Sequence, residues 1–105
     1  MSNLTLSPQT TEDLAERCET TAALLKNLAH PLRLQLLCHL AAGEKSVGDL
    51  ETLSGASQSL VSQFLARMRR EGLIEGRKDG KFVLYSVADP KILQLIRALH
   101  RIFCP

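Results

Sequence analysis

Apolar residues begin to recur at helical spacing near Thr11, where Leu14, Ala15, Cys18, Ala22, Leu25 and Ala29 fall on one stripe and predict a first helix. His30-Pro31 ends that helix and opens another, because proline is accommodated at a first helical position. The second helix, Leu32 to Ala42, is apolar on most sides, with Leu32, Leu36 and Leu40 along one and Leu34, Leu37, Cys38 and Ala41 along another. A helix apolar most of the way round belongs at the centre of a fold. Gly43 stops it. Ser46, with Asp49 three residues on, has the form of a capping box and starts a short helix to about Leu53. Ser54-Gly55-Ala56 supplies a turn, and Ser57 caps a further helix to about Glu71, with Val61, Leu65 and Met68 facing inward and Gly72 closing it.

Leu73-Ile74 then leads into a hairpin, for which Asp79-Gly80 is a strong short-range signal. Its second strand, Lys81 to Val87, alternates Val83, Tyr85 and Val87 against Phe82, Leu84 and Ser86. Asp89-Pro90 is an N-cap followed by proline at the first helical position, and a last helix runs to about Phe103. Its apolar positions are Ile92, Leu95, Ile96, Leu99, Ile102 and Phe103. Residues 1–10 lack apolar periodicity and predict a flexible N-terminal arm, leaving 11–105 as a single domain.

The order from Ser46 to Val87 is that of a winged helix-turn-helix. The fold class is therefore mainly α with a small β-hairpin wing, in the order four helices, two strands, one helix. With only 4% aromatic residues and no Trp, the core rests on Leu, Ile, Val and Ala. Small helical domains with so thin a core gain stability by association. Since both terminal helices carry full apolar stripes, a homodimer through the terminal helices is expected.

Net charge is +2, but its distribution says more. Residues 1–53 hold four basic side chains against seven acidic, and residues 54–105 nine basic against four acidic. The excess concentrates in Arg67, Arg69, Arg70, Arg77, Lys78 and Lys81, on the predicted second helix of the motif and the wing. A solvated charged face would be the plain explanation; its coincidence with the motif favours a polyanion footprint. In a helix-turn-helix the N-terminal residues of the second helix meet base edges, here Ser57, Gln58, Ser59, Ser62 and Gln63. Gln pairs bidentately with adenine, and Ser contacts any base or phosphate. Arg77, Lys78 and Lys81 would grip phosphate or the minor groove. The expected partner is double-stranded operator DNA, palindromic if the protein is two-fold symmetric. No membrane partner is expected, since no apolar run approaches a span, and the polar N-terminus points to a cytoplasmic protein.

Several segments together resemble the ArsR/SmtB family of bacterial winged-helix repressors. They are Leu25-Lys26 through His30-Pro31-Leu32-Arg33-Leu34, Ser46-Val47-Gly48-Asp49-Leu50, Ser57-Gln58 through Leu65, and Arg69-Arg70-Glu71-Gly72-Leu73-Ile74. Within it, Leu36-Leu37-Cys38 paired with Leu99-His100-Arg101-Ile102-Phe103-Cys104 resembles the dithiol subgroup, which includes persulfide sensors of the SqrR/BigR and YgaV type and HlyU-like virulence regulators. The resemblance implies a homodimeric repressor, not an enzyme, that releases its operator when Cys38 and Cys104 are joined through a polysulfide or disulfide bridge. The implied inducer is a persulfide or polysulfide, with no cofactor.

Departures from other branches matter too. The arsenic and cadmium sensors of the family carry a Cys-x-Cys where this chain has Val47-Gly48-Asp49, and of the zinc-sensor ligands only Asp89 and His100 survive. No metal set is expected, because zinc needs about four N, S or O ligands. Cys18, on the apolar stripe of the first helix, reads as a small buried hydrophobe. Cys38 could be the same, whereas Cys104, near the chain end, has the weakest claim to a packing role. If the second and last helices pack together, Cys38 and Cys104 can face one another. Alpha-carbons resting slightly beyond the ~7 Å reach of a disulfide would favour a bridge with inserted sulfur. Four alternatives stay open: a metal-responsive repressor of the same family, an HlyU-like anti-silencing activator, a DNA-binding module with inert cysteines, and a thiol oxidoreductase. The last lacks a Cys-x-x-Cys.

Overall fold

A capping box opens the helix-turn-helix: Ser46 Oγ accepts from the Asp49 N–H at 3.1 Å, and the Asp49 carboxylate accepts from the Ser46 N–H at 2.9 Å. This pair fixes the start of one of five helices in a computed structural model that describes residues 11–104. The elements are α1 (Thr11–Leu28), α2 (Pro31–Ala41), α3 (Val47–Ser54), α4 (Gln58–Arg70), β1 (Ile74–Asp79), β2 (Phe82–Val87) and α5 (Pro90–Phe103). The expected arm over 1–10 lies outside the described residues. The contacts divide the chain between His30 and Pro31 into two compact units.

In the first unit, α1 buries Leu28, while Leu14 and Leu25 are exposed. Cys18, expected to be buried, is exposed. The correction has a simple cause: the apolar stripe of α1, Leu14 and Leu25 included, is exposed, and Cys18 lies on it.

The second unit is built round α2. Leu36, Leu37 and Leu40 are buried, and α2 packs against α5, α3 and β2. Pro31 stands at its first position, as its fixed φ allows. Leu50 of α3, the Val61–Leu65–Met68 row of α4, Leu73 and Ile74 before the wing, and Ile92 and Ile96 of α5 complete the core. Two chain reversals need glycine. Gly55 ends α3 at φ 74, and Gly72 ends α4 at φ 79. There the N–H groups of Gly72 and Leu73 return to the carbonyls of Arg69 and Met68, the paired bonds of a Schellman cap.

The wing is an antiparallel hairpin in which Ile74 pairs with Val87 and Asp79 with Phe82. Asp79-Gly80 does mark the turn, but Asp79 is the last strand residue, and the two-residue loop is Gly80-Lys81. Gly80 alone takes positive φ (66°) there, which matches a II′ turn rather than the Asn-Gly type with two left-handed residues. At Gly76 a Cβ would lie 2.9 Å from Val83 Cγ1 and 3.3 Å from the Tyr85 ring, so glycine lets these two cross-strand side chains close over the strand. Lys45 adds a third rung, exchanging both backbone bonds with Tyr85 at 3.1 and 2.8 Å. The α2–α3 loop is thereby stitched to the wing.

Candidate nucleic-acid interface and dithiol site

The exposed surface of α4 follows from its buried row. With Val61, Leu65 and Met68 inward, helical geometry puts Ser59, Gln63, Ala66 and Arg70 on the opposite row, and all four are exposed. Gln58, Ser62 and Arg69 flank that row on one side, with Leu60, Phe64 and Arg67 on the other. Of the five residues expected to read bases, Ser59 and Gln63 therefore point straight out, and Gln58 and Ser62 stand at one edge. Ser57 is partly committed: its Oγ accepts from the Leu60 N–H at 3.2 Å as the helix cap, leaving its hydroxyl proton for a phosphate or base. Ser62 and Arg69 share a shallow groove with Tyr85, so the edge of α4 is continuous with the wing.

On the wing, Lys78 and Lys81 are exposed and make no ion pair among the described residues. Arg77 differs from the expectation of an open phosphate contact. Its Nε and Nη2 donate to the two carboxylate oxygens of Glu44 at 2.7 and 2.8 Å. The hydrogen bond to the guanidinium, reinforced by its charge, holds the Glu44 carboxyl below its usual range, and Glu44 in turn holds Arg77 protonated. Glu44 precedes Lys45, so the backbone rung to Tyr85 holds it beside the wing.

The sequence reading did not anticipate Arg33. It is 4% exposed, and its Nη1 and Nη2 donate to the Glu71 carboxylate at 2.9 and 3.4 Å. Glu71 is the C-cap of α4, so a charged fork on α2 holds the end of the helix whose other half carries exposed Ser59 and Gln63. The signal was present: Arg33, Leu36, Leu37 and Leu40 fall at i, i+3, i+4 and i+7, the inward row of α2.

Cys38 is half-buried on α2, and Cys104 caps α5, its N–H donating to the His100 carbonyl at 2.8 Å. The helix that carries Cys38, α2, packs against α5, which Cys104 caps. Burial, and then the charge of Cys104, push the Cys38 thiol above its usual value. Cys38 opens onto a groove of about 240 Å³ between the helices, with Ala41, Ile96, Arg97, His100 and Arg101 around it. Next to Cys38, the His39 imidazole is held below its usual value by burial and by Lys45, and its buried Nε2 has no hydrogen-bond partner among the described residues. Among those residues no three His, Cys, Asp or Glu side chains gather as metal ligands, and no helix is long and apolar enough to cross a membrane.

A capped α3–α4 pair joined by a tight turn, a polar row on α4 and a basic hairpin beside it define a winged helix-turn-helix DNA-binding regulator. The family model for bacterial regulatory proteins of the ArsR family matches residues 30–76, and the chain belongs to that family, one of transcriptional regulators rather than enzymes. It is 42% identical over 104 residues to the biofilm growth-associated repressor of Xylella fastidiosa (strain Temecula1), covering 99% of this chain and 91% of that one. It is 37% identical over 98 residues to the transcriptional activator HlyU of Vibrio cholerae, with 93% and 91% covered. The crystal structure of the repressor BigR from Xylella fastidiosa superposes with a TM-score of 0.84 at 44% identity, over 90% of this chain and 94% of that one. A homodimeric winged helix-turn-helix domain from Mycobacterium bovis, solved by NMR, superposes at 0.70 with 28% identity, over 92% and 89%.

Proposed function

We propose that this regulator is a homodimeric, cytoplasmic repressor that leaves its palindromic operator when Cys38 and Cys104 are bridged by reactive sulfur. The observation that carries the reading is the packing of α2, which carries Cys38, against α5, which Cys104 caps, away from the DNA-reading row. Repression is supported by the likeness to the biofilm growth-associated repressor. The dimer is supported by Leu14, Leu25, Ile102 and Phe103, large apolar residues of the two terminal helices that are exposed in the single chain, and by the homodimeric relative. In the bound state Ser59 and Gln63 face bases, Gln58 and Ser62 read the edge of the same site, and Ser57, Arg77, Lys78 and Lys81 hold phosphate.

The persulfide itself is the oxidant. The Cys38 thiolate attacks the outer sulfur of R–S–SH, the S–S bond breaks, and R–SH leaves. The resulting Cys38 persulfide attacks the organic sulfur of a second R–S–SH and expels hydrosulfide. Cys104 then attacks the middle sulfur, displacing R–S⁻ and closing a trisulfide. Two thiols and two persulfides thus give one bridge, two R–SH and one H2S. The bridge ties the end of α5 to α2, and α2 holds α4 through Arg33 and Glu71, so the strap acts on the reading helix through a continuous path.

The test is to treat the reduced protein with glutathione persulfide and, separately, with peroxide, following operator binding and intact mass. A Cys38–Cys104 bridge with added sulfur only under persulfide, together with loss of binding, is the expected result. A plain disulfide from both reagents would make the protein a general thiol-redox switch. A second reading, an activator that displaces a silencing protein, is favoured by the likeness to HlyU. An operator overlapping the promoter separates repression from it.

A further inference from the structure

Five arginines have no carboxylate partner in an ion pair among the described residues, and three of them, Arg67, Arg69 and Arg70, lie on α4. Arg97 and Arg101 are the others, far from the DNA-reading row on α5. Both line the groove over Cys38, with His100 between them and no acidic side chain in its walls. Arg97 spends one bond, at 3.3 Å, on the Ala41 carbonyl, which leaves its remaining N–H groups for another partner. The floor, from Ala41, Ala42 and Ile96, is small and apolar. Helical spacing puts Arg97, His100 and Arg101 on one side of α5, away from the row of half-buried Leu95 and Leu99 and exposed Ile102 that suits a second copy. A groove lined by two arginines, small apolar side chains and a thiol fits a small organic anion carrying reactive sulfur.

We infer that this groove selects anionic low-molecular-weight persulfides, with Arg97 and Arg101 receiving the carboxylate while the outer sulfur is presented to Cys38. The inference rests on the persulfide reading above and adds the charge of the inducer. The chemical step is the sulfur transfer already written: the S–S bond of R–S–SH breaks, Cys38 gains the outer sulfur, and R–SH leaves. Two fixed cations raise the local concentration of an anion and repel a cation, which is worth on the order of tenfold in rate at low salt.

The test compares glutathione persulfide, a net anion, with cysteamine persulfide, a cation, by mass-spectrometric bridging rates on the reduced full-length chain. A parallel pair needs no sulfane sulfur: dianionic 5,5′-dithiobis(2-nitrobenzoate) against neutral 4,4′-dithiodipyridine, on a Cys18→Ser, Cys104→Ser variant in which Cys38 is the only thiol. The anion is expected to react about ten times faster in both pairs. The preference should vanish in the double variant Arg97→Gln, Arg101→Gln and invert in the double variant Arg97→Gln, Arg101→Glu. Unchanged operator binding by the reduced variants checks that they are folded. Equal rates within both pairs would overturn the groove's selectivity whether or not a bridge forms. A preference in the nitrobenzoate pair with no bridging by either persulfide would uphold anion selection and overturn the persulfide reading.

Discussion

Glu44 holds Arg77 through two parallel bonds of 2.7 and 2.8 Å, so the one arginine of the wing carries a carboxylate where DNA would offer a phosphate. Both side chains are exposed, which makes the pair exchangeable rather than a structural element. The wing is therefore less cationic in the free protein than its sequence suggests, and if Arg77 holds phosphate as proposed, Glu44 would compete with it.

Replacing Glu44 with Gln removes that competitor. Non-specific DNA affinity is expected to rise about fivefold near 0.15 M salt, with the salt dependence of log K steeper by about one unit, the signature of one more phosphate contact. Arg77→Ala should shift both in the opposite direction. Fluorescence anisotropy across a salt series reads both quantities. No change in either variant would place Arg77 away from the DNA.

Gln63 and Lys81 separate reading from gripping. Gln63→Ala should cost about 1–3 kcal/mol at the operator and little on unrelated sequence, because a bidentate base contact is lost. Lys81→Ala should weaken all sequences alike and reduce the salt slope by about one. Competition assays with operator and scrambled duplexes distinguish the two patterns.

Arg33 and Glu71 test the path from α2 to the reading helix. Glu71→Ala removes the acceptors of two charge-assisted bonds and is expected to cost about 2 kcal/mol, since Arg33 is buried although Glu71 is partly exposed. Urea unfolding should show a lower midpoint with an unchanged slope. In conditions where the variant is folded, bridged and reduced forms should differ less in operator affinity than in the parent chain.

Burial makes His39 a pH-sensitive element. Its imidazole sits below the ordinary value of 6.5 in the folded chain, through burial first and the Lys45 charge second. Below 6.5 the unfolded chain binds a proton that the folded chain resists, so stability is full above that value and is lost as pH falls towards the folded value. Denaturant midpoints measured down to about pH 5 should decline, and His39→Gln should decline less.

The Cys38 thiol is raised above the ordinary value of 9.0 by burial and by Cys104. Alkylation of Cys38 by a neutral reagent should therefore keep accelerating as pH passes 9.0. Cys104→Ser should move the midpoint down without bringing it to the ordinary value, because burial, the larger cause, remains. A midpoint below 9.0 in the parent chain would contradict the burial of this thiol.

Local chemistry made most of the fold legible. Capping pairs, Pro31 and Pro90 at helix starts, Gly55 and Gly72 at helix ends and the Asp79-Gly80 signal act over a few residues, so the chain states them directly. The inward row of α4 was equally readable, because period 3.6 is a property of one helix. By itself the sequence thus determined five helices, a hairpin, their order, and which face of α4 is turned to solvent. What it could not state are pairings between distant elements. That Arg77 meets Glu44, that Arg33 clasps Glu71, and that Arg97 and Arg101 line one groove with Cys38 depend on how α2, α5 and the wing pack. Cys18 shows the converse: an apolar stripe predicts that a face will be covered, but not whether its own chain supplies the cover. Periodicity is set by the backbone of one element, whereas charge pairing and burial are set by the neighbours that only the tertiary structure brings to it.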